Sequence, residues 1–386
     1  MEHFYFDNAA TTPVSPTVVQ AMTDVLSHDF GNASSTHFFG RRAHDLLDQS
    51  RQTIAQSINA ASIDEVIFTS GGTESDNTAI LSTAAAYGQQ GHHIITTAIE
   101  HPAVLKTMAR LEQQGFEVTY LPVDGLGYVT VDQVAAALRP DTILVSIMMG
   151  NNEIGTIEPI KAIGAMLADK PVIFHTDAVQ AYGVLSIDVQ ELGVDFLSVS
   201  GHKLHGPKGV GFLYAKTGVK LVPFMNGGEQ EHKRRAGTEN LPGIVGMAQA
   251  VRDLAGANKA KRRDQLLALK QAVLAELDQA GVTYHINGPD LQASLPHVLN
   301  LWFPGVPTNL ALTSLDLRGF AVSGGSACTA GSLQPSHVLT ALYGANAAEI
   351  SESLRLSFGS ENTLAQARAL GQALVAVVTD YLQQTT

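Results

Sequence analysis

Seven short apolar runs, rich in β-branched residues, mark the first part of the chain: Glu65–Thr69, His93–Thr97, Glu117–Leu121, Thr142–Ile147, Val172–Thr176, Asp195–Val199 and Val210–Tyr214. None alternates strictly between apolar and polar, which is the pattern of strands buried on both faces. Helical stretches such as Thr73–Tyr87 and Ile160–Asp169 lie between many of them. Strands alternating with helices predict an α/β fold with a mostly parallel seven-stranded sheet covered by helices on both faces. The last two runs are too close for a helical crossover, so an antiparallel step is expected there. Ser15–Pro16 reads as a helix start, a capping hydroxyl followed by Pro in the first turn, and Val18, Val19, Met22 and Val25 then repeat at helical spacing.

The pattern changes at Gly256–Arg263, which is polar and basic, and the helix after it gathers Leu266, Leu269, Val273 and Leu277 on one face. A boundary is expected there. Residues 14–255 would form a large domain, and residues 1–13 with 256–386 a smaller α+β domain. The length of 386 residues agrees with two or three domains at ~150 residues each.

Composition narrows the function. Apolar residues make up 45% and charged residues 16% of the chain, which is globular. The net charge of -12 argues against a DNA-binding footprint, which needs concentrated positive charge, but leaves an RNA-modifying partner open. A single Cys excludes an intrachain disulfide and a Cys-only metal site, so no metal of its own is expected. It suits a reducing compartment. No apolar run reaches the ~18 residues of a membrane span. The first residues have neither a basic nor an apolar leader pattern, so cytoplasmic residence is the expectation.

Gly201-His-Lys-Leu-His-Gly206 has the outline of a nucleotide phosphate loop, but Pro207 stands where Lys is required. No G-x-G-x-x-G follows a strand, and no zinc spacing of the H-E-x-x-H kind occurs. Three other segments point elsewhere. Ser70-Gly71-Gly72-Thr73 joins a strand directly to a helix, where free amides and the helix dipole would hold an anion. Taken alone, it reads more readily as an ordinary strand–helix turn. Asp177 lies just past a buried strand, where ligands of α/β sheets bind, although an Asp there could simply cap a helix. Lys203 follows another buried strand, and a Lys beside a sheet core is costly unless it is paired, tied up as an imine or able to snorkel to solvent. Together the three match the needs of pyridoxal 5'-phosphate: a Lys for the covalent link, an acid for the ring nitrogen and an anion site.

These residues sit within a longer series. The segments are Asp7-Asn-Ala-Ala-Thr-Thr-Pro13, Thr69-Ser-Gly-Gly-Thr-Glu74, Glu100-His101-Pro-Ala-Val, Asn151-Asn152-Glu-Ile-Gly155, His175-Thr-Asp177-Ala-Val-Gln180, Ser200-Gly-His-Lys203, Arg235-Ala-Gly-Thr-Glu-Asn240 and Ser326-Ala-Cys328. In order and spacing the series resembles the cysteine desulfurases of the class V aminotransferase group, fold-type I pyridoxal-phosphate enzymes, nearly end to end. The resemblance implies that Lys203 forms the internal aldimine and Asp177 holds the pyridinium. Gln180 and Asn152 would touch the ring oxygen or substrate, and His101 would stack on the ring and move protons. Gly72, Thr73, Ser200 and His202 would bind phosphate, with Thr238 completing that site from the neighbouring subunit of a homodimer. Arg355 would clamp the substrate carboxylate.

The lone thiol decides the chemistry. Cys328 lies in Ser323-Gly-Gly-Ser-Ala-Cys-Thr-Ala-Gly-Ser332, a small, polar, Gly-rich stretch that reads as a mobile exposed loop and not as core. An accessible thiol can take the sulfur of L-cysteine as a persulfide, leaving L-alanine. The long run after it resembles the extended-loop branch of the family. The resemblance implies an iron–sulfur scaffold protein or a tRNA-thiolating enzyme as sulfur acceptor, and allows Cys328 to share an iron–sulfur cluster transiently. Ala33 and Gly324-Gly325 depart from the family pattern without touching a proposed catalytic atom. The alternatives are another class V enzyme, a selenocysteine lyase or an aminotransferase, or a nonenzymatic sulfur-relay partner.

Overall fold

The computed structural model describes residues 2–325 and 335–385. A parallel pair, β1 (Phe4–Tyr5) and β11 (Phe320–Ala321), joins the two ends of the chain. The main sheet contains β2 (Val66–Thr69), β3 (His93–Thr97), β4 (Glu117–Leu121), β5 (Thr142–Ser146), β6 (Ile173–Asp177), β7 (Phe196–Ser200) and β8 (Gly211–Ala215) in the order β2-β8-β7-β6-β5-β3-β4. Only β8 runs against the others, antiparallel to both β2 and β7, so the expected antiparallel step is present. Six of the seven strands are buried along all or nearly all of their length, as unbroken apolar runs require; β4, at the sheet's edge, is the exception. A second sheet of β9 (His285–Ile286), β10 (Val298–Trp302) and β12 (Ser353–Ser357) is antiparallel, with β10 in the middle.

The first helix is Pro16–His28, and Ser15 caps it by accepting from the Val18 amide at 3.3 Å. Val18 and Val25 face the core, whereas Val19 points to solvent at 51% exposure, because neighbouring helical positions diverge by about 100°. The helix Ala257–Gln279 buries Leu266, Leu269, Val273 and Leu277, all at 0% exposure, against the helix Leu364–Thr385 and the three-stranded sheet. This core is separate from the one under the main sheet, which unites Phe68, Val145, Phe174, Leu197 and Phe212. β12 ends beside the N-terminal segment: the Ser357 amide donates to Phe6 O at 2.7 Å.

Candidate active site

A cavity of about 500 Å³ opens beyond the carboxyl ends of β2, β5, β6 and β7. Ligands of parallel α/β sheets bind at this edge, because the following loops and helix starts direct their amides there.

The anion cradle is built at the end of β2. Gly71 has φ +144°, which an L side chain rarely adopts, and it precedes the helix Gly72–Tyr87. A Cβ on Gly72 would lie 2.6 Å from Val179 Cγ2, so the backbone passes where no side chain fits. Thr73 stands in the first helical turn, and Ser200 Oγ lies 3.2 Å from where a Cβ of Gly71 would be. Glu74 would repel an anion, but its carboxylate accepts from Arg235 Nε at 2.7 Å and Nη2 at 3.1 Å and from the Ser70 amide at 2.6 Å.

Lys203 lines the same cavity, and Nζ donates to the carbonyls of Ala9 at 2.5 Å and Ala10 at 2.9 Å. Asp177 is the last residue of β6, and not one past it. Its Oδ1 accepts from the Val179 amide at 2.8 Å. Burial, and then the neighbouring Asp76 carboxylate, push its pKa up to about 7, against the pull of Val179, His175 and Lys203. A cation set against Asp177 would bring that value down again. His175, beneath it, bonds Ser146 Oγ at 2.8 Å and Ser198 Oγ at 3.0 Å, and burial holds its pKa down to about 4. The ring is therefore neutral, so its 3.5 Å approach to Asp76 Oδ1 is not a charged pair.

His101 caps the helix Pro102–Glu112, with Nδ1 accepting from the Ala103 amide at 3.1 Å. Burial, then Lys203 and His337, lower its pKa to about 4, so the ring is neutral with its proton on Nε2. His202 Nδ1 lies 3.1 Å from Thr11 Oγ1 and is held near 4 by burial, then by Lys203 and Lys208. Gln180 donates from Nε2 to Ala9 O at 2.9 Å. Arg355, 1% exposed, pairs through Nη2 with Asp7 Oδ1 at 2.6 Å and donates from Nη1 to Asn152 O at 3.1 Å. Its buried Nε has no hydrogen-bond partner among the described residues.

Gly72, Thr73, His101, Asn152, Asp177, Gln180, Ser200, His202, Lys203 and Arg355 thus share one cavity. Thr238 does not line it. It is exposed, in the segment that Arg235 ties to Glu74. Cys328 lies outside the described residues. On either side of that stretch, Ser323 exchanges backbone hydrogen bonds with Arg355, and Ser336 Oγ donates to Glu153 Oε2 at 2.6 Å. Sequence reasoning missed the Ala9 and Ala10 carbonyls, which carry no side-chain signal. It also missed Asp76, whose only signal was its place one turn after Thr73. A primary amine, a buried carboxyl and a glycine-built anion cradle around one hollow fit pyridoxal phosphate.

The family model described as Aminotransferase class-V matches residues 4–370. A Bacillus subtilis (strain 168) protein named IscS 1 is 52% identical over 378 residues, covering 98% of this chain and 99% of that protein. The cysteine desulfurase IscS of Methanosarcina thermophila is 49% identical over 359 residues, covering 93% and 88%. A solved structure titled "SspA in complex with cysteine" superposes with a TM-score of 0.81 at 37% identity, covering 92% of this chain and 98% of that one.

Proposed function

The chain belongs to the class V aminotransferase family and is a pyridoxal-phosphate-dependent cysteine desulfurase; from that premise we propose how its residues divide the work. Lys203 Nζ would hold pyridoxal phosphate, which when bound would supply an electron sink for the amino acid's Cα. The amides of Gly72 and Thr73, with Ser200 and His202, would hold its phosphate, and Thr238 would reach that phosphate from a second copy in a homodimer. Asp177 would lie against the ring nitrogen, whose positive charge would keep the carboxyl ionised. His101, neutral at working pH, would stack on the ring and carry protons through Nε2. Arg355 binds the substrate carboxylate beside Asn152, using donors that Asp7 and Asn152 O hold in place. Lys203, with its amine free, would move the Cα proton.

Cys328 thiolate then attacks the substrate Sγ. An S–S bond forms as Cβ–Sγ breaks, the electron pair left on Cβ is protonated, and the Cα proton taken by Lys203 is returned to complete L-alanine. The Cys328 persulfide passes to an iron–sulfur scaffold protein or a tRNA-thiolating enzyme. Residues 14–255 form the cofactor domain, and residues 1–13 with 256–386 the smaller one that carries Cys328. Among the described residues no helix is long and apolar enough to cross a membrane, and we place the enzyme in the cytoplasm.

The convergence of Lys203, Asp177 and the Gly71–Thr73 helix start on one cavity carries this reading. The purified protein is expected to be yellow, and borohydride should fix the cofactor on Lys203 but not on Lys203→Ala. Cys328→Ser should keep the colour yet form neither sulfide nor alanine from cysteine. A colourless protein that takes up no pyridoxal phosphate, or unchanged turnover by Cys328→Ser, overturns it.

A further inference from the structure

Gln180 reaches the cavity from the loop after β6, and both ends of its amide are fixed. Ala9 O can only accept, so the group facing it at 2.9 Å is the Gln180 NH₂. Oε1 therefore faces His297 Nε2, 2.9 Å away. An amide oxygen needs a donor, so the His297 proton is on Nε2 and Nδ1 is bare. Nδ1 indeed has no hydrogen-bond partner among the described residues. The assignment is self-consistent, and it leaves the second NH of Gln180 for the cavity. Gln180 thus offers the cavity a donor.

The neutral state of His297 is secured by its surroundings. The residue is 8% exposed, and burial, then Lys270, Arg262, Lys203 and Arg355, hold its pKa well below the usual value. The segment that carries the ring also has a fixed seat. Lys270 Nζ, fully buried, donates to Leu295 O at 2.7 Å and Ser294 Oγ at 3.1 Å, and the Phe358 amide donates to His297 O at 2.9 Å. His297 directly precedes β10, so it links the three-stranded sheet to the cofactor edge of the main sheet.

We propose that His297 is a positioning residue that locks the Gln180 amide as a hydrogen-bond donor toward the acidic ring oxygen of the cofactor. This rests on the reading of the cavity as a pyridoxal-phosphate site. Without His297 the amide is held at one end only, by Ala9 O, so it can swing about its last torsion and the NH aimed at the cavity loses its direction. Lost or misdirected donation makes that oxygen more basic.

The test compares His297→Leu with His297→Gln, whose amide NH can still donate to Gln180 Oε1. In the holoenzyme, His297→Leu should weaken cofactor affinity about three- to ten-fold, the span of one hydrogen bond. It should also move the pH midpoint of the bound chromophore upward. His297→Gln should restore both toward wild type, and His297→Leu added to Gln180→Ala should change neither further. In cofactor-free protein, ¹⁵N-histidine NMR should find the Nε2–H tautomer. A wild-type midpoint and affinity in His297→Leu overturn the proposal, as does the Nδ1–H tautomer. A lowered melting temperature with an unmoved midpoint would make the role merely structural, and overturns it equally. If wild type itself binds no cofactor, it is the site reading that fails, while the NMR tautomer still tests the lock.

Discussion

Arg355 and Asp7 meet at 2.6 Å between β12 and the N-terminal segment, so the guanidinium proposed to bind substrate is itself held by the opposite end of the chain. The carboxylate does two things there. It compensates a charge that is 1% exposed, and it sets the plane of the fork, together with Asn152 O. A bidentate clamp depends on that plane, and Lys cannot reproduce it. Arg355→Lys is expected to lose about a hundred-fold in kcat/KM for cysteine while keeping the cofactor's colour, an order of magnitude set by ~1.5–3 kcal/mol for charge-assisted bonds. Asp7→Asn keeps the shape and loses the charge. KM should rise by roughly three- to ten-fold with kcat little changed. Steady-state kinetics on both variants check this, and an unchanged KM in Arg355→Lys would remove the residue from substrate binding.

The cradle makes a sharper prediction, because its neighbour can be changed too. An Ala at Gly72 would put Cβ 2.6 Å from Val179 Cγ2, and the shortest remaining approach is 3.8 Å. One methyl of the stiff, β-branched Val179 is thus the whole obstacle. Gly72→Ala should weaken pyridoxal-phosphate affinity by ten-fold or more, a cost of about 1–3 kcal/mol for overpacking. Val179→Ala in the same chain should recover most of it. Gly71→Ala has no such rescue, since its φ of +144° strains any side chain whatever the space. Cofactor titration of the four proteins reads this directly, and equal failure of Gly72→Ala with and without Val179→Ala would locate the constraint elsewhere.

Much of this was legible in the sequence where side chains carry the signal. The runs His93–Thr97 and Glu117–Leu121 are strands with those bounds; the first is buried throughout, as its continuous apolar and β-branched pattern requires, and the second keeps its bounds although it lies at the sheet's edge. The three runs that follow Thr142–Ile147 each lie one residue further along as strands, Ile173–Asp177, Phe196–Ser200 and Gly211–Ala215. The reason is that polar Asp177 and Ser200 still pair in the ladder, with Ser198 and Gly211. Periodicity cannot see a polar residue that stays in register. Nor can it see backbone acceptors. Ala9 and Ala10 hold Lys203 through carbonyls that any residue would carry. The contact of His297 with Gln180 joins residues 117 positions apart, and only the packing of the two sheets creates it.

Asp177 makes stability depend on pH in a direction unusual for a carboxylate. Burial and Asp76 raise its folded pKa to about 7, whereas an unfolded Asp titrates near 4. The folded protein therefore binds the extra proton between those values. Its contribution is full below about pH 4 and is lost as pH rises through about 7. Asn has the same shape and no titration. In the cofactor-free protein, Asp177→Asn should gain on wild type as pH rises from 5 to 8, by on the order of 2–4 kcal/mol, and level off above that. In the loaded enzyme the order should reverse, because a cationic ring nitrogen needs the carboxylate. Paired thermal melts across that range, with and without cofactor, give the comparison; a difference independent of pH would mean that Asp177 is ionised throughout.

Arg51 and Glu231 form a buried, two-pronged pair, with Nη1 to Oε2 at 2.6 Å and Nη2 to Oε1 at 2.8 Å, and side chains 4% and 2% exposed. Glu231 Oε2 also accepts from the Phe68 amide in β2 at 3.0 Å, one residue before the strand turns into the cradle. The same residue begins three consecutive left-handed positions, Glu231, His232 and Lys233, with φ of 48°, 55° and 66°. Each costs roughly 1 kcal/mol or more, so a strong anchor must hold the turn. Glu231→Gln keeps one acceptor for Phe68 but leaves Arg51 charged in the interior. The expected loss is about 3–5 kcal/mol, read as a lower melting temperature and weaker cofactor binding. His232→Gly relieves one strained position at an exposed side chain and should leave stability equal or slightly higher. If Glu231→Gln melts with wild type, the turn is held by Arg235 and Glu74 instead, and Arg235→Gln should then show the larger drop.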